Sequence, residues 1–185
     1  NDTEFVYGRA LAQTVGISVM RLAGAEVLPF AFTNLAATAS RYTTEIQQLR
    51  DARAKTIASR NRAISEGYYA VTSDPREPTM APAPRVMPPE FNFAPLLNAL
   101  DSLNRSAARF EKAYAAWSQA PDTSAALLGA VNVRLIQSER VLTSADGLPR
   151  RPWYQHLLYA PGFYTGYGVK TMPGAREAIE QGDWA

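Results

Sequence analysis

The apolar positions of this chain recur with helical periods over most of its length. From Val6 to Leu22, the residues Val6, Leu11, Val15, Val19 and Leu22 fall at helical spacings, and Ile17 and Met20 fill other faces. A helix that is apolar nearly all round is usually buried, so a buried first helix is expected from about Glu4 to Val27, ended by Leu28-Pro29-Phe30. Gly8, Gly16 and Gly24 share roughly one side of it, which reads as close helix packing. A second helix is expected from a Thr33 or Asn34 cap to about Val71, because a side-chain oxygen at that place can accept from a free N–H of the first turn. Its seam is Leu35, Ala39, Tyr42, Ile46 and Leu49, in alternating steps of four and three, continuing more weakly through Ile57, Ile64 and Tyr68.

Pro75, Pro78, Pro82, Pro84, Pro88 and Pro89 then interrupt the chain between Ser73 and Phe91. Proline lacks an N–H and clashes with the preceding turn, so this stretch reads as an extended connection between two antiparallel helices. A third helix is expected from Asn92, as cap, to Gln119, with Pro95 in its first turn and Pro121 after its end. Leu96, Leu100, Leu103, Ala107, Phe110, Tyr114 and Trp117 form the cleanest seam of the chain. A fourth helix is expected from Asp122 or Thr123 to about Thr143, on Leu128, Val131, Leu135 and Leu142, with Ser138 breaking the seam and Ala145-Asp146-Gly147 as the stop. Gly174 to Ala185 begins another helical pattern, weakly supported by itself at that length.

The fold class that follows is all-α: an antiparallel helical bundle with a long Pro-rich connection and an aromatic, Gly/Pro-rich loop across one end, as a single helical domain over residues 1–185. The seams of the second, third and fourth helices are the expected core. Phe110 and Trp117 are the rings whose truncation should cost most.

The loop, Leu148 to Gly174, gathers Trp153, Tyr154, Tyr159, Tyr164, Tyr167 and His156, the chain's only histidine. Interspersed Gly and Pro exclude one regular element, and so many rings suit an ordered loop packed on a scaffold with some rings pointing into a neighbouring surface.

Composition narrows the chemistry. The absence of cysteine removes disulfides and thiolate metal sites, and a single histidine falls short of an ordinary zinc ligand set. There is no nucleophile elbow, phosphate loop or dinucleotide fingerprint, and His156 reads as a packed, hydrogen-bonded structural residue. A net charge of +2 is well short of a nucleic-acid footprint. The run Arg50, Asp51, Arg53, Lys55, Arg60 and Arg62 reads as the solvated face of a helix whose far half projects from the core, a patch for an acidic partner or nucleic acid being the rival reading. The window from Leu11 to Phe32 is interrupted by Arg21, Glu26 and Pro29, so no membrane segment is expected. No signal peptide is visible, and the first residue is not Met, so the chain reads as a fragment. By its own residues it is a helical interaction module and not an enzyme.

The loop sequence Leu148-Pro149-Arg150-Arg151-Pro152-Trp153-Tyr154-Gln155-His156-Leu157-Leu158-Tyr159-Ala160-Pro161 resembles the signature of the glutamate carboxypeptidase II and transferrin receptor family. Met172-Pro173-Gly174 is similar to that family's Phe-Pro-Gly, and Ala25-Glu26-Val27-Leu28-Pro29-Phe30 to its hydrophobic-Leu-Pro-Phe. The resemblance implies the C-terminal helical domain of a zinc peptidase, which mediates homodimerisation and closes one wall of the substrate pocket. It implies no cofactor in this chain. Zinc, the catalytic glutamate, and the peptidase and apical domains would lie in the rest of an exported parent, and the last helix would be cut near Trp184. Arg151, Trp153, Tyr154, His156 and Tyr159 match the structural part of the motif.

In glutamate-specific members a Lys-Tyr pair binds the substrate's C-terminal glutamate, and the matching positions are Gly166 and Tyr167. The tyrosine is kept and the lysine lost, which implies acceptance of a free carboxylate without strict glutamate selectivity. Lys170 is the nearest lysine that a shifted loop would bring in. The readings that remain beside this one are a stand-alone helical binding module and a receptor-like member of the family without peptidase activity.

Overall fold

A computed structural model describes residues 3–74, 76–77, 80–121 and 124–184. Among them, helices dominate: α1 (Val6–Ala23), α2 (Phe32–Ser65), α3 (Tyr68–Val71), α4 (Ala94–Gln119), α5 (Ala125–Arg140) and α6 (Pro173–Gln181). To these the aromatic loop adds two short strands, β1 (Tyr159–Pro161) and β2 (Val169–Thr171), paired antiparallel with Tyr159 opposite Thr171. The chain divides into two compact units, Asn1–Asn34 with Arg105–Val141, and Leu35–Asn104 with Leu142–Ala185.

In the first unit, α1 departs from its expected burial: none of its residues is buried. Leu11, Val15, Ile17 and Val19 are all more than half exposed, and Gly16 has no neighbour within 4 Å of where a Cβ would stand. Periodicity reports that a helix has apolar faces, not that this chain supplies their cover.

After α1 the chain turns at Leu28, whose N–H donates to Asn132 Oδ1 at 2.9 Å, while Asn132 Nδ2 donates to the Glu26 carbonyl at 2.8 Å. Thr33 lies inside α2 instead of capping it, and its hydroxyl donates to Glu111. Phe30, Phe32, Phe110, Tyr114 and Trp117 form a continuous ladder of rings; Phe32 meets Phe110 edge-on at 4.9 Å. Phe110 and Trp117 are half-buried and not closed in a core. With Val27, Leu128 and Val131 they line an apolar groove of about 290 Å³. The expected start of α5, Asp122 or Thr123, lies outside the described residues.

In the second unit, the buried stripe of α2 is Ala36, Ala39, Thr43 and Ile46, with Ile57 further on. It keeps Ala39, Ile46 and Ile57 of the expected seam and adds Ala36 and Thr43, while Leu35, Tyr42 and Leu49 are half-buried. The helix stops at Ser65, short of Val71, because Gly67 is left-handed (φ +75°) and starts the separate turn α3. The connection after α3 is irregular, as its prolines require; Pro75 and Pro78 lie outside the described residues. Asn92 Oδ1 accepts from the Ala94 N–H at 3.0 Å, satisfying a free donor of the first turn of α4. Pro173 starts α6 at the position where a missing N–H costs nothing, and Pro173, Glu177 and Ile179 are buried. Its tertiary packing stabilises a helix otherwise too short to persist.

Candidate functional site

The aromatic loop is a set of turns bound to α6 from below. Leu148 is buried and starts a compact turn: its N–H donates to the Tyr154 carbonyl at 2.8 Å, and Arg151 N–H donates back to Leu148 at 2.9 Å. This turn aims the side chain of Arg151 inward, where it is only 4% exposed. One guanidinium nitrogen meets Glu177 Oε2 at 2.5 Å, and another donates to the Pro161 carbonyl at the end of β1. The second carboxylate oxygen of Glu177 accepts from the Phe163 N–H at 2.6 Å. A buried ion pair needs such further hydrogen bonds to offset its lost hydration. The rings of Tyr154 and Phe163 flank the Arg151 guanidinium, each 5.6 Å from it, and the Arg150 guanidinium lies 4.5 Å from the same Phe163 ring.

The strands carry the loop outward from this base. Arg176 ties β2 to α2 by donating to the Thr171 carbonyl and hydroxyl and to Glu45 Oε2 at 2.9 Å. Between the strands the chain closes a tight turn, with Gly162 N–H donating to the Gly168 carbonyl at 2.9 Å. Gly166 sits near its tip in the left-handed region (φ +57°), and Tyr167 beside it is fully exposed.

The other expected site residues distribute around this base. Tyr154 is half-buried beneath Arg151, and Trp153 is 70% exposed. His156 is half-buried; its Nδ1 accepts from the N–H groups of Leu158 and Tyr159 at 3.3 and 3.4 Å, and its ring lies 4.1 Å from that of Tyr159. Lys170 is held by Glu180 at 2.7 and 2.8 Å, directed to α6 instead of the loop tip. The residue that sequence reasoning missed is Glu177. No local signal marks it, because the cation that a buried carboxylate requires, Arg151, lies 26 residues away in the sequence.

The model of the transferrin receptor-like dimerisation domain matches residues 91–185. The chain belongs to this family. It is also similar, at 52% identity over 50 residues, to a probable glutamate carboxypeptidase of Arabidopsis thaliana, a stretch covering 27% of this chain and 7% of that protein. A probable glutamate carboxypeptidase of Arthroderma benhamiae is 48% identical over 44 residues, covering 24% and 6% respectively. The matched stretches thus span a small part of these relatives' length. The family match takes in α4, α5, the whole aromatic loop and α6, so the Arg151–Glu177 base belongs to the dimerisation-domain portion of the chain. Among the described residues of this domain no helix is long and apolar enough to cross a membrane. Among the described residues no group of three or more His, Cys, Asp or Glu could hold a metal ion.

Proposed function

We propose that this domain is the homodimerisation and pocket-wall domain of a zinc-dependent exopeptidase of carboxypeptidase type, not catalytic by itself. The observation that carries the reading is the loop built on Arg151 and Glu177: its base is cross-linked and buried, while Tyr164 and Tyr167 project into solvent. A rigid base with exposed rings suits a surface that receives something from outside the chain. The match to the dimerisation family and the names of the similar proteins support the same reading.

In that role Tyr167 contacts the terminal carboxylate of a peptide substrate, and Gly166 stands where a glutamate-selective relative has lysine. Lys170 is engaged by Glu180 and does not replace it, so in this reading the parent accepts a terminal carboxylate without strict glutamate preference. Arg151, Tyr154, His156 and Tyr159 shape the loop, and Trp153 presents its ring outward beside them. Zinc and its ligands, with the peptidase and apical domains, are supplied by the rest of the protein.

Two measurements test this. Sedimentation over a concentration series should give a particle of twice the 20.3 kDa chain mass; a monomer throughout counts against pairing by this domain. Hydrolysis of C-terminal residues from short peptides by the whole protein should disappear with a zinc chelator and return with zinc. A whole protein that dimerises without hydrolysing any peptide is instead a receptor-like member of the family.

A further inference from the structure

Only part of the basic run of α2 is a solvated face: Asp51, Lys55 and Arg62 are exposed, whereas Arg50, Arg53 and Arg60 are half-buried. Arg50, Arg53, Ile57 and Asn61 follow one another at helical steps of three and four along α2, and the Pro-rich connection lies against this stripe. Arg50 donates to the Pro89 carbonyl at 2.9 Å. Asn61 grips Arg85 twice, donating to its carbonyl at 2.7 Å and accepting from its N–H at 2.9 Å. This double grip fixes the backbone at Arg85 although no helix or strand holds it, so the guanidinium departs from a defined point.

A cleft of about 330 Å³ opens beside it, lined by Arg53, Ile57, Arg85, Val86, Trp184 and the end of α6. No carboxylate lines it. Among the described residues neither guanidinium has an ion-pair partner, and Arg53 Nε is shielded from solvent with no acceptor. A shielded donor left without an acceptor is costly, and a guanidinium fork is matched in geometry by a carboxylate. Ile57, Val86 and Trp184 add apolar walls, which a bare ion does not need.

We propose that this cleft docks an acidic peptide segment, seating a carboxylate between Arg53 and Arg85 and a neighbouring apolar side chain against Val86 and Trp184. Nucleic acid fits less well, because a net charge of +2 provides no extended stripe to neutralise successive phosphates.

The test is calorimetric titration of the whole protein with three probes: an N-acetylated peptide alternating leucine and glutamate, its leucine–glutamine counterpart, and inorganic phosphate. The glutamate peptide should bind, and binding should weaken as salt is raised. The glutamine peptide and the Arg53→Ala and Arg85→Ala variants should each bind about ten-fold more weakly or worse. Arg85→Ala separates binding from folding, because the side chain is exposed and Asn61 holds only its backbone, so its melting temperature should not change. Equal binding of the two peptides, undiminished binding by Arg85→Ala, or no binding of any probe overturns the proposal. Phosphate that competes as strongly as the peptide also overturns it, in favour of a bare anion site.

Discussion

The guanidinium of Arg151 and the carboxylate of Glu177 meet at 2.5 Å with both side chains almost wholly withdrawn from water. Each also holds backbone of the β1–β2 region, Arg151 at the Pro161 carbonyl and Glu177 at the Phe163 N–H. The pair therefore joins three parts of the chain that have no continuous helix or strand in common.

Removing one partner of such a pair leaves the other charge buried without compensation, at a cost of about 3–5 kcal/mol. Glu177→Ala should lower the unfolding free energy by that order in urea denaturation, and the Phe163 amide should lose its protection from hydrogen exchange. The double variant Arg151→Met, Glu177→Leu should recover much of the stability, because it also removes the desolvation cost. A double variant no more stable than the single one would assign the effect to the backbone hydrogen bonds.

Two glycines should respond to alanine with opposite signs. At Gly147 the backbone is left-handed (φ +67°), and an added Cβ would stand 2.2 Å from the Pro152 carbonyl oxygen. Gly147→Ala should cost roughly 1–3 kcal/mol or more. Gly16 lies inside α1 facing open space, so Gly16→Ala should stabilise by about 0.5–1 kcal/mol, from helix propensity alone. Thermal melts of the two variants check both signs.

Phe110 lines an open groove. Truncating a fully buried ring costs about 3–5 kcal/mol; Phe110→Ala should cost roughly half of that, because the ring leaves water only in part. A full core penalty in denaturant titration would mean that a second surface covers the groove in solution.

The proposed substrate role makes Gly166 a specificity position. Gly166→Lys in the whole protein should raise the preference for glutamate-ending over alanine-ending peptides by about ten-fold or more, against a left-handed backbone that costs lysine about 1–2 kcal/mol. Tyr167→Phe should lower kcat/KM for both substrates alike. Competition assays with paired peptides measure the ratio, and an unchanged ratio in Gly166→Lys rejects the assignment.

The helices and their approximate ends were legible because they rest on local information. The seven-residue rhythm from Leu96 to Trp117, the acceptor at Asn92 and the breaks at Pro121 and Gly147 act within a few residues of one another. The run Leu148 to Pro161 with Met172-Pro173-Gly174 is distinctive enough to indicate the family from the residues alone.

Tertiary structure decided which partner each face and each charge acquires. A period marks α1 as apolar without saying what covers it, and a basic run does not reveal that a Pro-rich strand of chain lies across it. Nothing in the sequence pairs Glu177 with a cation; the turn at Leu148 brings Arg151 to it. Arg53 and Arg85 line one cleft because Asn61 fastens the connection to α2. The physical reason is common to all of these: backbone preference and periodicity are set by near neighbours, whereas burial and ion pairing depend on the path by which distant segments return to one another.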